Sequence, residues 1–257
     1  EFIVDPDGGL NTLPNDYREY AERGSWTYTT TPGFSAHAGS YLDGENPFAA
    51  GRARQIKTTK KDGKAYAKWQ PNFIKAGRHA VYVSYQTVPG SVDDAHYTEF
   101  RVNQQMGGGT WVYLGTFDFG EGDHIDNCVM LTNQSRHHGV VTADAVRFGG
   151  GIGNIERGGT TSGYPRAIEG ARYWAQWAGA PYTVYGGRNG TDDYADDINT
   201  RSRMLNWLAG GSVFVPTLSG KKVPMELSLA VHSDAGYAKD GVGLVGSLAI
   251  CTTDFND

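Results

Sequence analysis

Basic charge, cysteine and long apolar runs are all scarce in this 257-residue chain, and each scarcity removes a class of protein. Lys and Arg number 23 against 28 Asp and Glu, a net charge of −5. That balance leaves no electrostatic footprint for nucleic acid, whose binding rests on neutralised phosphates, so no DNA or RNA partner is expected. No apolar stretch approaches the roughly 20 residues that span a bilayer, so no membrane span is expected. Residues 1–10, EFIVDPDGGL, have neither the basic start nor the apolar centre of a signal peptide; an exported protein would carry its signal outside this segment. The two cysteines, Cys128 and Cys251, are far apart and have no partner at metal-ligand spacing, so they read as two separate core thiols, with the redox compartment left open.

What the chain does have is glycine, 36 residues in runs such as MGGGTW and FGGGIGN, together with 15 Tyr and 6 Trp. Hydrophobic content of 39% with 20% charged residues is the profile of a globular protein, and frequent glycine implies many tight turns between short strands. Residues 1–22 mix Pro, Gly, Asn and charge without apolar period and read as a linker or irregular lead-in. From 23 to 150 the period is two. AYAKW (65–69), HAVYVSYQT (79–87), HYTEFRV (96–102), TWVYLGTFDF (110–119), NCVMLT (127–132) and VVTADAVRF (140–148) each alternate or run apolar between turn clusters, which predicts an antiparallel β-sandwich. VNQQMGGGTWVYLG is the clearest hairpin candidate.

After FGGGIGN the pattern changes. PRAIEGARYWAQWAG opens on Pro165 and closes at Gly179, as a helix does; YTVY (182–185) reads as a short strand, DDYADDINTRSRMLNWLAGG as a second helix with acids crowding its start, and ELSLAVH as the next strand. Strand, helix, strand is one βαβ unit, so the expectation for 151–257 is a partial α/β segment with a mostly parallel sheet, and the domain boundary falls near residue 150. The fold class expected is therefore multi-domain, β-sandwich followed by α/β.

ELSLAVHSD also carries the leading candidate site. Leu227, Leu229 and Val231 occupy one face of the expected strand, and His232 ends the other above the small side chains of Ser228 and Ala230. Ligands bind at the carboxyl ends of parallel strands, where a neutral imidazole can hold zinc or act as a base and Asp234 can orient its second nitrogen. The plainer alternative is a strand end that is structural or merely exposed. One ligand makes no site, since a catalytic zinc needs three protein ligands and an open position, and neither a His-Glu-x-x-His helix nor a cysteine pair is present.

LSLAVHSDAG resembles the strand-end motif of zinc-dependent N-acetylmuramoyl-L-alanine amidases, and DYADDINTRSRMLNWL is similar to the helix that precedes it. The resemblance implies zinc as cofactor, His232 as a metal ligand, Arg201 and Asp234 as catalytic-site residues, Asn206 as the helix Asn, and peptidoglycan as substrate. AKWQPNFIKAGRHAVYVSYQT, EFRVNQQMGGGTWVYLGTFDF and VVTADAVRF together resemble the golvesin C-terminal, or xanthan-lyase carbohydrate-binding-like, β-sandwich domain, inserted in an amidase-like domain. That implies a polysaccharide partner and a secreted, periplasmic or cell-surface place in a Gram-negative bacterium.

The pattern departs in places. The amidases carry a first zinc histidine in Asp-Pro-Gly-His-Gly-Gly, whereas DPDGG at 5–9 has none, so a Pro-Asp-Gly turn is the simpler reading and Asp7 the residue that would have to replace the imidazole. Glu169, the one acid on the first helix after the sandwich, is the candidate for the family's glutamate ligand; its plain reading is a partner of Arg166 or Arg172 one turn away. Both ends look cut, so the chain is expected to be a segment of a longer protein without a complete metal site of its own.

Other residues carry weaker signals. His137 and His138 read as loop side chains, since neighbours on a strand face opposite ways. His124 and Asp126 lie among acids but lack the spaced oxygen donors of a calcium loop. Trp26, Tyr28, Trp69 and Trp111 are candidates for stacking on sugar rings, with the sandwich core as the alternative home. The functions in view are thus a zinc amidase-like hydrolase, a non-catalytic polysaccharide-binding module, and a lyase or lyase accessory, the last without a visible base in a long groove.

Overall fold

The chain is described here by a computed structural model covering residues 1–7, 20–36, 39–73, 75–122 and 126–229. It divides into two compact units, Glu1–Met204 and Leu205–Asp257.

In the first unit, β1 (Phe2–Val4), β12 (Val146–Phe148), β6 (Gly77–Val83) and β9 (Val112–Phe119) form one antiparallel sheet in that spatial order. A second sheet runs β2 (Tyr20–Arg23), β5 (Tyr66–Trp69), β10 (Val129–Thr132), β7 (Ala95–Tyr97) and β8 (Phe100–Val102). The alternation of the sequence sets their inner faces. Ala67 and Trp69 of β5 lie opposite Leu131 and Val129 of β10, and all four are buried. With Val81, Val83, Val146 and Phe148 of the other sheet they form the sandwich core.

A third sheet, β11 (Val140–Ala143), β4 (Gly51–Lys57) and β3 (Thr27–Gly33), is also antiparallel. β3 is its outer edge, and its register with β4 shifts between Tyr28 and Pro32. A two-stranded ribbon joins β13 (Glu156–Arg157) to β14 (Thr160–Thr161).

Side chains opposite the core face of the four-stranded sheet build a second apolar cluster. Ile3, Arg147, Tyr82 and Tyr113 stand in register across its four strands. Against this face lie Ile155 and the helix α1 (Ala171–Trp177), and Trp177 packs edge-on to Phe34 at 5.8 Å and beside Trp111 at 5.9 Å. The Arg147 guanidinium is 3.8 Å from the Tyr82 ring centre and 5.4 Å from those of both Trp111 and Trp174, with its side chain fully buried. Arg166 stacks at 3.9 Å on Trp177, and the Glu1 carboxylate reaches Arg147 at 3.4 Å and Arg166 at 3.8 Å. Buried guanidinium groups are tolerable only with such aromatic and carboxylate company.

Several expectations need correction. The lead-in contains strands, because Phe2–Val4 pairs with β12 and places Val4 in the core; three residues before a Pro-Asp turn are too few to show a period. HYTEFRV is a hairpin of β7 and β8 rather than one strand, and VVTADAVRF is two strands in different sheets. The MGGG segment makes no hairpin, since β8 pairs with β7 and β9 with β6. It crosses between sheets instead, with Gly107 and Gly109 at φ +71°. A Cβ on Gly108 would stand 2.2 Å from the Thr87 nitrogen. Glycine is there for close passage.

The segment after 150 departs most. PRAIEGARYWAQWAG splits into a 3₁₀ turn, Arg166–Ile168, and α1, separated by the extended Gly170. YTVY is a helical turn, α2 (Tyr182–Tyr185), capped by Pro181 and ended by Gly186. Its strand propensity yields to context: Tyr185 is wholly buried, and the Tyr182 hydroxyl donates to Asp43 at 3.0 Å. The second helix is found as α3 (Asp193–Ala209). Residues 226–229 of ELSLAVH are in no strand, and the rest lies outside the described residues. Among the described residues every paired strand is antiparallel, so the expected βαβ unit and parallel sheet are absent there. The segment up to 185 instead supplies the second cluster on the sandwich.

In the second unit, the chain past α3 folds back so that Lys221, Val223 and Lys222 donate backbone hydrogens to the carbonyls of Trp207, Leu208 and Gly210, satisfying a helix end that would otherwise be bare. Lys221 sits 4.9 Å over Trp207.

Asp144 links the two strands of VVTADAVRF. It accepts from the Phe34 amide at 3.1 Å and from Gln86 Nε2 at 3.2 Å, and burial raises its pKa to about 7 against those donors. From about pH 4 to 7 the folded chain holds a proton that the unfolded chain has lost, so this group lowers stability as pH rises, by up to about 1.4 kcal/mol per pH unit. Asp144→Asn is expected to flatten the fall in denaturation free energy over that range. An unchanged slope would mean that the carboxyl is ionised throughout.

Candidate binding site

The end of the sandwich beside β2 carries an open hollow. A pocket of about 470 Å³ lies where β2 ends at Arg23 and the loop from β4 to β5 returns past Lys61, Asp62 and Lys64. Its floor is built by short range geometry. Asn133 Oδ1 accepts from the Ala65 amide at 3.4 Å, Asn133 Nδ2 donates to the Lys57 carbonyl at 3.2 Å, and the Thr59 amide donates to the Asn133 carbonyl at 2.9 Å. Asn133 is thereby spent on holding the loop. Gly24, at φ +111°, forms the wall beside Ala65, and a Cβ there would lie 2.5 Å from the Ala65 Cβ. Arg23, Lys61, Asp62 and Lys64 are exposed, and among the described residues none of the three cations has a carboxylate within ion-pair distance.

The sequence-derived site residues are placed as follows. His232 and Asp234 lie outside the described residues, as do His124 and Cys251. The Glu169 side chain is buried, accepts from Ser162 Oγ at 2.6 Å and faces Arg166 at 3.8 Å. Of its two plain partners it has Arg166, while Arg172 meets Asp43 at 2.9 Å and Asp193 at 3.3 Å. Arg201 is half-buried on α3 and attracts Asp197, one turn before it, whose pKa burial raises. Asn206 lies on the same helix. Glu169 and Arg201 share no hydrogen bond or ion pair among the described residues.

Asp7 does lie in a turn, accepting from the Arg52 backbone amide, while its own amide donates to Asp5 at 3.0 Å. His137 and His138 are exposed. His137, Asp93 and Asp94 bring ligand atoms within 4.8 Å of one another, yet Asp94 is engaged by Ser135 Oγ at 2.5 Å and by Arg136 at 2.9 and 3.1 Å. Burial pushes the Asp94 pKa up, but those donors outweigh it and hold it at about 2. Asp126 is exposed. Cys128 is a half-buried free thiol with its pKa raised by burial.

Of the aromatic candidates, Trp26 and Trp69 belong to the sandwich core and Trp111 packs on the second cluster. Tyr28 is exposed, with Arg52 and Arg54 at 4.0 and 4.1 Å from its ring centre. Sequence reading missed the pocket. The signal was there in KTTKKDGK (57–64), four lysines around one aspartate in a chain that is acidic overall.

An antiparallel sandwich with a charged hollow among its end loops is the architecture of a β-sandwich domain with a rim site. The chain belongs to the golvesin C-terminal domain family, which matches residues 13–150. No curated protein matches it. A solved structure, that of Paenibacillus xanthan lyase, is similar over 57% of this chain with 22% identity and a TM-score of 0.40; the chain spans 12% of that lyase's length.

Gly24→Ala is expected to destabilise the protein by about 1–3 kcal/mol in chemical denaturation, because a side chain is added at positive φ against Ala65. Wild-type stability would show that the wall yields freely.

Proposed function

We propose that the sandwich is a non-catalytic module that binds polysaccharide outside the cell. The observation that carries this reading is the open pocket at its rim, where cations and a carboxylate without an ion-pair partner among the described residues face solvent beside a floor held by Asn133 and a wall formed at Gly24. Side chains left in this way can exchange water for ligand hydroxyl and charged groups without breaking any internal contact. Membership of the golvesin C-terminal domain family supports it, and no helix among the described residues is long and apolar enough to cross a membrane. Affinity electrophoresis of the full chain through gels containing neutral or acidic polysaccharides should show retardation by at least one. Unchanged mobility in all of them would end this reading.

A second reading concerns the longer protein, in which LSLAVHSDAG favours a zinc amidase-like hydrolase acting on peptidoglycan, with His232 as metal ligand and Asp234 and Arg201 beside it. Zinc there would polarise water for attack on an amide. Release of peptide from purified peptidoglycan by the longer protein should be lost in His232→Ala, and equal release would eliminate hydrolysis at this site.

A further inference from the structure

The geometry points to the rim pocket as a site for a carboxylate-bearing sugar, a uronic acid unit within a polysaccharide. The inference rests on the polysaccharide-binding reading and assigns its ligand class. Arg23, Lys61 and Lys64 are among the residues that line the pocket, with Asp62 as its single acid. In a chain of net charge −5, this is a local reversal of sign. A concave site with an excess of one sign of charge concentrates counter-charged ligands better than isolated surface cations do.

Asp62 narrows the choice. Its carboxylate repels densely charged anions such as sulfated chains, yet accepts hydrogen bonds from hydroxyls, which a sugar offers beside its carboxylate. The pocket lacks an aromatic platform, so stacking on a neutral sugar face has no surface to use there. Asn133, committed to Ala65 and Lys57, offers little to a neutral ligand either. Its volume of about 470 Å³ falls within the roughly 300–1,000 Å³ typical of small-ligand sites.

The test measures binding of the full chain to polygalacturonate, dextran and dextran sulfate at low and at physiological salt. Polygalacturonate is expected to bind most tightly, and to weaken as salt rises because the contacts are exposed charges. Lys61→Gln with Lys64→Gln should weaken it by roughly five- to tenfold, since exposed charge contacts contribute modestly each. Thermal unfolding of that double variant should match wild type. Asp62→Asn should raise affinity for dextran sulfate relative to polygalacturonate. Polygalacturonate binding untouched by the double variant, or dextran sulfate preferred by wild type, would overturn the assignment. If dextran binds as well as polygalacturonate and the lysines are irrelevant, the pocket fails while polysaccharide binding stands. If none of the three is retained, and none in the wider set of gels, both fail together.

Discussion

Arg147 carries a full charge into a place closed to water, and the outer layer of this protein is arranged around meeting that charge. Its strand neighbours Val146 and Phe148 point into the sandwich, so the pleat sends Arg147 the other way, onto a face that would otherwise be solvated. Tyr82 beside it in register, Trp111 at the start of the next strand, Trp174 from α1 and the Glu1 carboxylate together replace the water it has lost. The layer that follows residue 150 is therefore held to the sheet by a cation as well as by apolar packing. Removing the rings would leave an unscreened guanidinium, which is costlier than an ordinary cavity.

The buried acids follow the same logic with opposite outcomes. Asp94 and Asp144 both lose solvent, but Asp94 gains a hydroxyl, an amide and a guanidinium, whereas Asp144 gains two amide groups of the backbone and a glutamine, none of them charged. A full positive partner is what separates a carboxyl held near 2 from one raised to about 7. Asp144 can still tie β11 to β12 and fix the Phe34 amide, because a carboxyl of either protonation state accepts that hydrogen bond.

Much of the sandwich was legible because its strands alternate over four or more residues. AYAKW, HAVYVSYQT, TWVYLGTFDF and NCVMLT each contain a strand. What failed were connections and short pieces. MGGG has the composition of a hairpin turn, yet a glycine run needed for close passage beside Thr87 looks the same in sequence as one needed for a turn. YTVY has strand-forming side chains but only four residues, too few to resist a proline before it, a glycine after it and a buried place for Tyr185. Glu169 was read both as ligand and as arginine partner, and i,i+3 spacing to Arg166 describes the contact it makes. The pocket was missed because its parts come from residues 23, 59–65 and 133, which only strand pairing brings together.

The edge strand β3 has a further consequence. Pro32 offers no N–H, and the register shift between Tyr28 and Pro32 interrupts the regular ladder on which another chain would have to build. Arg52 and Arg54 of the neighbouring strand β4 stack over Tyr28 and pair with Asp7 and Glu22, so an approaching copy meets a broken template beside a surface already engaged within the chain. Copies crowded side by side would then stay separate molecules instead of fusing into a continuous sheet.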